Sequence, residues 1–360
     1  MKLLGFVLPV VAGILTSCSD HEKDTPALPD TPDQPSETPV ELPELPFARG
    51  ADVSWVTQQE SENIIWRDSL GNPAEVMKLL RDECGVNAIR LRVWVDPANG
   101  WNGLDDTVVK AKRAKALGMM LMIDFHFSSS WADPGQQTPP AAWAGYNIQQ
   151  LKSAVASHVE ATLNALKKEG IEPEWVQIGN EVRFGMLWPL GSGDNPANFA
   201  ALVNAGYDAA KKISPKTRVI VHIDSGQDYS LYLYLYGILA ANSGKYDMIG
   251  VSLYPDADNW TWMVNTMIDN LKRAASTWHK EVMVCEVGMN WNQPKITADM
   301  LRLMLQLSLH DTDNRQRGIF YWEPQAPPGY NNGYDKGAFD LEGRPTIALH
   351  PFVEAAKGEI

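Results

Sequence analysis

From Phe47 onward, short apolar runs rich in β-branched residues alternate with longer stretches of helical periodicity. The short runs predict eight strands, at Gly50–Trp55, Ala88–Val95, Met119–His126, Trp175–Asn180, Arg218–Asp224, Met248–Tyr254, Val282–Glu286 and Gly318–Trp322. The longer stretches predict helices at Ala74–Glu83, Asp105–Leu117, Ile148–Lys168, Pro196–Ile213, Trp260–Trp278, Thr297–Leu309 and Thr346–Lys357. Such alternation implies parallel strands with right-handed crossovers, and eight strands favour a closed (β/α)8 barrel of the TIM type.

The N-terminal segment differs from the rest of the chain. Lys2 precedes an apolar run too short to span a bilayer, which predicts a signal peptide at 1–17. The segment Leu15-Thr-Ser-Cys18 resembles a bacterial lipobox, in which the cysteine becomes the lipidated first residue. An ordinary signal peptide with an incidental cysteine is the alternative. Residues 18–45 are rich in Pro and acidic residues and predict a flexible tether, which leaves 46–360 as a single barrel domain.

The lipobox resemblance implies a location and a membrane contact. Lipid on Cys18 would anchor the protein without a membrane span. We therefore expect a lipoprotein of a bacterial cell envelope, in the outer membrane, with periplasmic and outer-surface placement both open. A tethered barrel of this kind is expected to be a monomer.

Composition narrows the choice of partners. The formal net charge is −13, which disfavours nucleic acid and anionic lipid surfaces, because both recruit basic residues. A neutral sugar is compatible with this charge, and 13 Trp supply flat apolar faces for sugar rings. Besides Cys18, only Cys84 and Cys285 are present, and they are predicted to be buried thiols. The Cys and His spacing fits no metal motif.

Polar residues gather at the carboxyl ends of the second and third predicted strands. Arg90 and Arg92 share one face of their strand, and Asp124 and His126 share one face of the next. Such groups are costly to bury without partners, so we expect a common polar site. A purely structural ion-pair network inside the barrel is the alternative.

Two glutamates follow apolar strands in the same way. Glu181 ends Trp175-Val-Gln-Ile-Gly-Asn-Glu181, and Glu286 ends Val282-Met-Val-Cys-Glu286. Barrel enzymes carry their catalytic groups at this end of the strands, and glycoside hydrolysis needs a pair of carboxyl groups. The amide of Asn180 is placed to hold a sugar hydroxyl beside Glu181. Two unrelated surface carboxylates that cap strands are the alternative.

Six segments together resemble glycoside hydrolase family 53, the endo-β-1,4-galactanases of the (β/α)8 clan A. They are Gly50-Ala-Asp-Val-Ser54, Arg90-Leu-Arg-Val-Trp94, Asp124-Phe-His-Phe127, Trp131-Ala-Asp-Pro-Gly135, Gln177-Ile-Gly-Asn-Glu181 and Tyr321-Trp-Glu-Pro324. The resemblance implies a retaining mechanism, with Glu181 as acid/base and Glu286 as nucleophile. It then implies carboxyl groups about 5–5.5 Å apart.

The resemblance also implies a set of substrate-binding residues. They are Arg90, Asp124, His126, Trp131, Asn180, His222, Asp224, Tyr254 and Trp322. Among them, Arg90 is expected as the cation beside Glu286, and Tyr254 as a hydrogen-bond donor to the same carboxyl group. Purely structural roles are the alternatives for four of these residues. Tyr254 would be a ring of the apolar core, His222 and Asp224 would stabilise the fifth strand, and Trp131 would fix the conformation of its loop.

The implied activity is arabinogalactan endo-β-1,4-galactanase, which cuts galactan side chains of pectin. Another clan A glycosidase, such as a mannanase, β-glucanase or exo-acting β-galactosidase, is the main alternative, and a non-catalytic glycan-binding lipoprotein is the lesser one. Some family members bind calcium in a long loop after strand seven. Here Gly288-Met-Asn-Trp-Asn-Gln-Pro294 lacks an acidic cluster, so we expect neither a metal nor a cofactor.

Overall fold

Eight parallel strands close into a barrel in chain order, with each strand paired to the next and the last paired to the first. They are β1 Ala48–Asp52, β2 Ala88–Val93, β3 Met120–Phe125, β4 Trp175–Ile178, β5 Arg218–Ile223, β6 Met248–Leu253, β7 Glu281–Val287 and β8 Gln316–Trp322. This confirms the (β/α)8 prediction. The observed strands end one to three residues before most predicted ends, because the polar residues beyond them belong to loops at the mouth.

The computed structural model describes residues 42–310 and 315–360. The predicted signal peptide, Cys18 and the tether up to residue 41 lie outside the described residues. Pro43 and Leu45 fall within the predicted tether, but both contact the barrel. Arg218 donates to the Pro43 carbonyl at 2.8 Å, and Leu45 packs against the apolar residues inside the barrel.

Ten helical segments surround the strands in the described part of the chain. They are α1 Val56–Ser61, α2 Val76–Cys84, α3 Leu104–Ala116, α4 Ile148–Lys168, α5 Pro196–Ile213, α6 Tyr229–Ala241, α7 Trp260–Trp278, α8 Pro294–Leu309, α9 Tyr330–Gly333 and α10 His350–Lys357. Short 3-10 turns occur at Ala141–Trp143 and Ile347–Leu349. Three predicted helices, now α4, α5 and α7, have the predicted bounds.

Helix α6 is absent from the predicted set. Its sequence alternates Leu and Tyr, so apolar residues occur on nearly every side and no clear helical stripe marks it. Asp228 caps the N-terminus of the helix, and its carboxylate accepts from the Ser230 amide. Tyr232 and Tyr236, one turn apart, are buried and donate their hydroxyls to the carbonyls of Gly226 and Val221. The tyrosines therefore bury their rings and still satisfy their polar ends.

Two apolar layers hold the barrel. The outer layer lies between strands and helices and includes Leu91 and Val93 of β2, as the alternation of that strand predicts. The inner layer fills the lower barrel with Ala48, Ala88, Met122, Trp175, Ile220, Met248, Met283, Cys285 and Phe320. Gly50 makes room for it, since a Cβ there would lie 2.1 Å from the Phe320 ring. Because apolar side chains fill the base, the polar site is confined to the carboxyl-end mouth.

Two further predictions concern single residues and membranes. Cys84, at the end of α2, and Cys285, in β7, are both free and buried, which confirms the predicted thiols. No helix within residues 42–310 and 315–360 has the length and apolar character required to cross a bilayer.

Candidate active site

A cavity of about 440 Å³ opens at the carboxyl-end mouth of the barrel. Both Glu181 and Glu286 line it. Its other lining residues are Trp55, His126, Trp131, Ala132, Asp133, Asn180, Tyr254, Trp322, Asn331, Asn332, Gly333, Tyr334 and Lys336. Acidic groups from strands four and seven therefore meet in one pocket, of a volume that suits a small ligand.

Glu181 lies on a tight turn that follows β4. Gly179 has a φ of 83° and Glu181 itself has a φ of 45°, a left-handed conformation that costs energy for a residue with a Cβ. The Glu181 amide donates to Nδ1 of His222 at 3.3 Å, which holds the turn in place. The backbone thus turns the carboxyl group into the cavity.

Burial dominates the electrostatics of Glu181. It raises the pKa of this carboxyl group to about 8, and the negative charge of Glu286 adds to the effect. The side-chain partner of Glu181 is the hydroxyl of Ser252, which donates to it and lowers the pKa in part. Glu181 is therefore protonated at neutral pH and is suited to donate a proton.

Glu286 has charged and polar partners on both carboxyl oxygens. Arg90 Nη2 lies 2.8 Å from Oε1, and the Tyr254 hydroxyl donates to Oε2 at 2.7 Å. Burial raises the pKa of Glu286, while Arg90 and then Tyr254 act in the opposite direction. These partners favour the ionised form, which is the form that a nucleophile requires.

The irregular end of β7 orients Glu286. Cys285 belongs to the inner apolar layer, yet the next residue also points to the interior. The pairing register between β6 and β7 shifts between Val251 and Ser252, which places Ser252 opposite Glu286. Such a bulge changes the direction of one side chain in an otherwise regular strand.

Arg90 is the centre of a buried polar network under the cavity. Its guanidinium pairs with Asp52 and with Asp124, each at 2.8 Å. Nη2 also donates to the side-chain oxygens of Gln177 and Asn180, at 3.1 and 3.0 Å. One cation thus neutralises several carboxylates and also fixes the amide of Asn180 next to Glu181.

Hydrogen bonds to uncharged groups hold the rings of His222 and His126, and His126 also contacts a carboxylate. Burial lowers the pKa of His222 well below its usual value, so its ring is neutral. Since Nδ1 accepts from the Glu181 amide, Nε2 carries the proton and donates to Ser252 Oγ at 2.7 Å. His126 Nε2 lies 2.9 Å from Asp124 Oδ2, and Nδ1 accepts from the Ala132 amide.

An aromatic wall lines one side of the cavity. The rings of Trp55, Trp131 and Trp322 contact one another, with centroids 5.1–6.0 Å apart. Behind them lies the guanidinium of Arg92, 4.6 Å from the Trp131 centroid and paired with Glu323 at 2.7 Å. Flat indole faces beside two carboxyl groups are what a sugar ring needs for stacking.

The predicted residues fall into three groups. Seven line the cavity: His126, Trp131, Asn180, Glu181, Tyr254, Glu286 and Trp322. Arg90, Asp124 and His222 lie beneath it and contact the lining residues. Asp224 is not among the lining residues, because Arg183 and Ser225 bind its carboxylate.

Several residues of the site are absent from the set that the sequence predicts. Ser252 contacts both Glu181 and His222, and Gln177 donates to Asp124 at 2.6 Å. Both were accessible to reasoning, because Ser252 shares its strand face with Tyr254, and Gln177 belongs to the Asn-Glu motif. Trp55 ends the first predicted strand but lies in the turn after β1, and Tyr334 follows α9, so alternation gives no signal at either residue.

No group of three or more His, Cys, Asp or Glu side chains in the described ranges is arranged to hold a metal ion.

Comparisons with known proteins point in one direction. The model of glycosyl hydrolase family 53 matches residues 48–352. An arabinogalactan endo-β-1,4-galactanase of Thermothelomyces thermophilus is 34% identical over 328 residues, which cover 84% of this chain and 98% of the relative. A probable arabinogalactan endo-β-1,4-galactanase A of Aspergillus terreus is 35% identical over 317 residues, 79% of this chain and 88% of the relative.

Two solved structures are similar to this chain over most of its length. A fungal β-1,4-galactanase superposes with a TM-score of 0.77 at 31% identity and covers 84% of this chain and 98% of its own. The family 53 catalytic domain of Ignisphaera aggregans gives a TM-score of 0.74 at 28% identity, over 86% of this chain and 97% of its own.

Proposed function

The chain belongs to glycosyl hydrolase family 53, and on that premise we propose that it is an endo-β-1,4-galactanase that cleaves galactan with retention of configuration. One observation carries the proposal. Two carboxyl groups share a cavity but have opposite surroundings, since Glu181 is held protonated by burial and Glu286 is paired with Arg90 and Tyr254. Two carboxyl groups so differentiated provide an acid and a nucleophile at the same pH.

The reaction has two steps. Glu286 attacks the anomeric carbon of a bound galactosyl unit while the bond to the leaving oxygen breaks, and Glu181 transfers its proton to that oxygen. The product is a glycosyl ester on Glu286. In the second step Glu181, now ionised, removes a proton from water, whose oxygen attacks the same carbon and releases Glu286.

The coupling between the two glutamates supports this sequence. The charge of Glu286 is one cause of the raised pKa of Glu181. Formation of the glycosyl ester removes the charge of Glu286, so the pKa of Glu181 falls once its proton has passed to the leaving oxygen. The same residue is thereby an acid in the first step and a base in the second.

The lining residues support a sugar substrate. Trp322 and Trp131 offer ring faces next to the carboxyl pair, and Asn180 lies in the cavity beside Glu181. We assign Asn180 to the 2-hydroxyl of the reacting unit and Trp322 to its ring face. Asp224 receives no substrate role, because Arg183 occupies its carboxylate.

Azide tests the assignment of the two glutamates. With Glu286→Ala and an aryl β-1,4-galactobioside, azide should attack directly and yield the α-glycosyl azide. With Glu181→Ala, azide should attack the glycosyl ester and yield the β-glycosyl azide. Glu83→Ala, at a half-buried position on α2 outside the cavity lining, is the control and should give hydrolysis without azide product. Formation of the same anomer from both variants contradicts the assignment.

A polysaccharide panel tests the substrate. Purified protein is offered linear galactan, mannan and β-glucan, and reducing ends are measured with time. Early release of intermediate oligosaccharides from galactan alone is expected for endo-action. If mannan or β-glucan is cleaved and galactan is not, the other clan A activities are favoured. Binding of a polysaccharide without any cleavage favours a glycan-binding protein.

The anchoring of the protein is a separate part of the proposal. The apolar segment after Lys2 and the motif Leu15-Thr-Ser-Cys18 support a lipoprotein that is attached through Cys18 to the cell envelope, as a monomer on its tether. In cells fed an alkyne-tagged fatty acid, wild-type protein should carry the label and Cys18→Ser should not. Equal labelling of both proteins excludes Cys18 as the acceptor.

A further inference from the structure

A second cavity, of about 760 Å³, opens beside α4. Its lining residues are Val95, Asp96, Trp143, Tyr146, Asn147, Gln149, Gln150, Ser153, Ala154, Ser157 and His158. Val95 and Asp96 follow β2, and the other residues belong to the β3–α4 loop and to α4. The Val95 amide donates to the Ser128 carbonyl at 2.8 Å and joins the two loops.

The second cavity is close to the catalytic cavity along the chain. The β3–α4 loop carries Trp131 and Asp133 into the catalytic cavity and Trp143 and Tyr146 into the second one. The two cavities therefore share one loop. A polymer bound in the second cavity is held near the catalytic mouth.

The lining has the chemistry of a neutral saccharide site. Trp143 and Tyr146 are held on one turn by the hydrogen bond from the Tyr146 amide to the Trp143 carbonyl, at 2.9 Å. The remaining lining is dominated by amide and hydroxyl side chains, with Asp96 as its one carboxylate and no Lys or Arg in the set. Aromatic faces with neutral donors and acceptors suit hydroxyl-rich rings, whereas an anion would find no cation among these residues.

His158 forms the inner, neutral part of the cavity lining. Its ring packs among Phe125, Phe127 and Trp143, with centroids 5.6–6.3 Å away. Burial lowers the pKa of His158 to about 4, so the ring is neutral. Its Nε2 is buried and has no hydrogen-bond partner within the described ranges, although buried polar atoms nearly always have one.

We propose that this cavity is a second saccharide-binding site, which holds a stretch of the galactan chain outside the catalytic cavity; this substrate identity rests on the proposed function. Binding at two linked sites raises the local concentration of polymer at the mouth. Short oligosaccharides that fill only the catalytic cavity gain nothing from it. The site therefore acts on polymer and not on small substrates.

Two variants attack the site in different ways. Tyr146→Ala removes an aromatic face, and Ser153→Arg places a long side chain in the cavity from an exposed position of α4 without removing core contacts. Trp262→Ala and Asn265→Arg, both exposed on α7 across the barrel, are the matched controls. Circular dichroism and thermal midpoints verify the fold of each variant.

Turnover is the first measurement. For both site variants, kcat/KM on long linear galactan should fall about tenfold, which corresponds to ~1.4 kcal/mol, while kcat/KM on β-1,4-galactotetraose stays within about twofold. Both controls should keep wild-type values on both substrates. Equal losses on polymer and tetraose, or no loss on polymer, overturn the second site.

Native gels that contain galactan provide the second measurement, which does not need turnover. In a Glu286→Gln background, Tyr146→Ala and Ser153→Arg should reduce the retardation by galactan, and the α7 controls should not. If wild type fails to cleave galactan, the proposed function is wrong, and retardation alone then decides the site. Retardation that is independent of Tyr146 and Ser153 overturns it.

Discussion

Replacing Ser252 by alanine should move the alkaline limit of activity to higher pH. Ser252 is 1% exposed, and its hydroxyl donates to the carboxyl group of Glu181. The direction of this bond follows from His222, whose Nδ1 accepts from the Glu181 amide and whose Nε2 therefore donates to Ser252. With its oxygen occupied as an acceptor, Ser252 is left to donate its own proton to Glu181.

The size of the shift can be worked from the bond that is lost. A hydrogen bond to an ionised group contributes about 1.5–3 kcal/mol, and one pKa unit corresponds to about 1.36 kcal/mol. Part of the bond persists when Glu181 is protonated, so the difference between the two states is smaller than the whole bond. We expect the pKa of Glu181 to rise about one unit above its value of about 8.

The sign follows from the role of Glu181. Its first task is to donate a proton, so activity falls as pH rises through its pKa. The profile of kcat/KM against pH reports this pKa in the free enzyme. In Ser252→Ala the alkaline limb should move up by about one pH unit, with a smaller change at the acidic limb.

Ser308→Ala is the control for the loss of a buried hydroxyl. Ser308 is 3% exposed and donates to the Met304 carbonyl at 2.6 Å in α8, far from the mouth. This variant should leave the pH profile unchanged. An alkaline limb of Ser252→Ala that stays in place or moves down, in a folded protein, refutes the assigned direction of the hydrogen bond.

The remaining predictions concern stability and reactivity. Glu181→Gln should be more stable than wild type, because wild type must keep a buried carboxyl group protonated as pH rises from about 4.5 to about 8. The gain in unfolding free energy should grow over this range to a few kcal/mol. Equal gains in urea unfolding at pH 5 and pH 8.5 would contradict this. Arg90→Met should cost about 3–5 kcal/mol because Glu286 and its neighbours lose their buried cation; its acidic activity limb should also move up, and an unchanged limb would count against the ion pair. Cys84 and Cys285 should react with a thiol reagent only in denaturant, since burial raises the pKa of both thiols, that of Cys84 to about 12; labelling of the native protein would contradict their burial.

The fold was predictable because each local pattern agreed with the barrel. Strand β2 alternates strictly, so the sequence alone distinguishes its aliphatic face from its arginine face. The clearest omission was α6, where the alternation of Leu and Tyr hides the helical period. There the tyrosine hydroxyls reach backbone carbonyls, and this solution depends on tertiary neighbours that a sequence does not reveal.

The site was predictable to a lesser depth. Strand ends identified Glu181 and Glu286 because a carboxylate after an apolar strand stands out. Sequence alone could not tell that Asp224 turns to Arg183 in the preceding loop, since both residues follow strands at the mouth. Ser252 shares the strand face of Tyr254 and can be placed at the mouth from the sequence, but its hydrogen bond to His222 depends on the tertiary structure.

The two arginines of β2 have different roles at the carboxyl-end mouth of the barrel. Arg90 serves the carboxyl chemistry, because one guanidinium pairs with Glu286 and orients Asn180 beside Glu181. Arg92 lies two residues further along the same face and serves the aromatic wall. Its Nη1 binds Glu323, whereas its Nε and Nη2 have no acceptor in the described part of the chain.

Four indole rings take the place of those missing acceptors. The Arg92 guanidinium lies 4.6–6.0 Å from the centroids of Trp55, Trp94, Trp131 and Trp322. A cation over indole faces gains about 0.5–2 kcal/mol per favourable contact when desolvated, which offsets the unmade hydrogen bonds. The same contacts keep the rings of the wall in fixed positions. Arg90 and Arg92 are two residues apart and therefore lie on the same face of β2. The first pairs with the nucleophile, and the second supports the indole rings on which a sugar ring can stack.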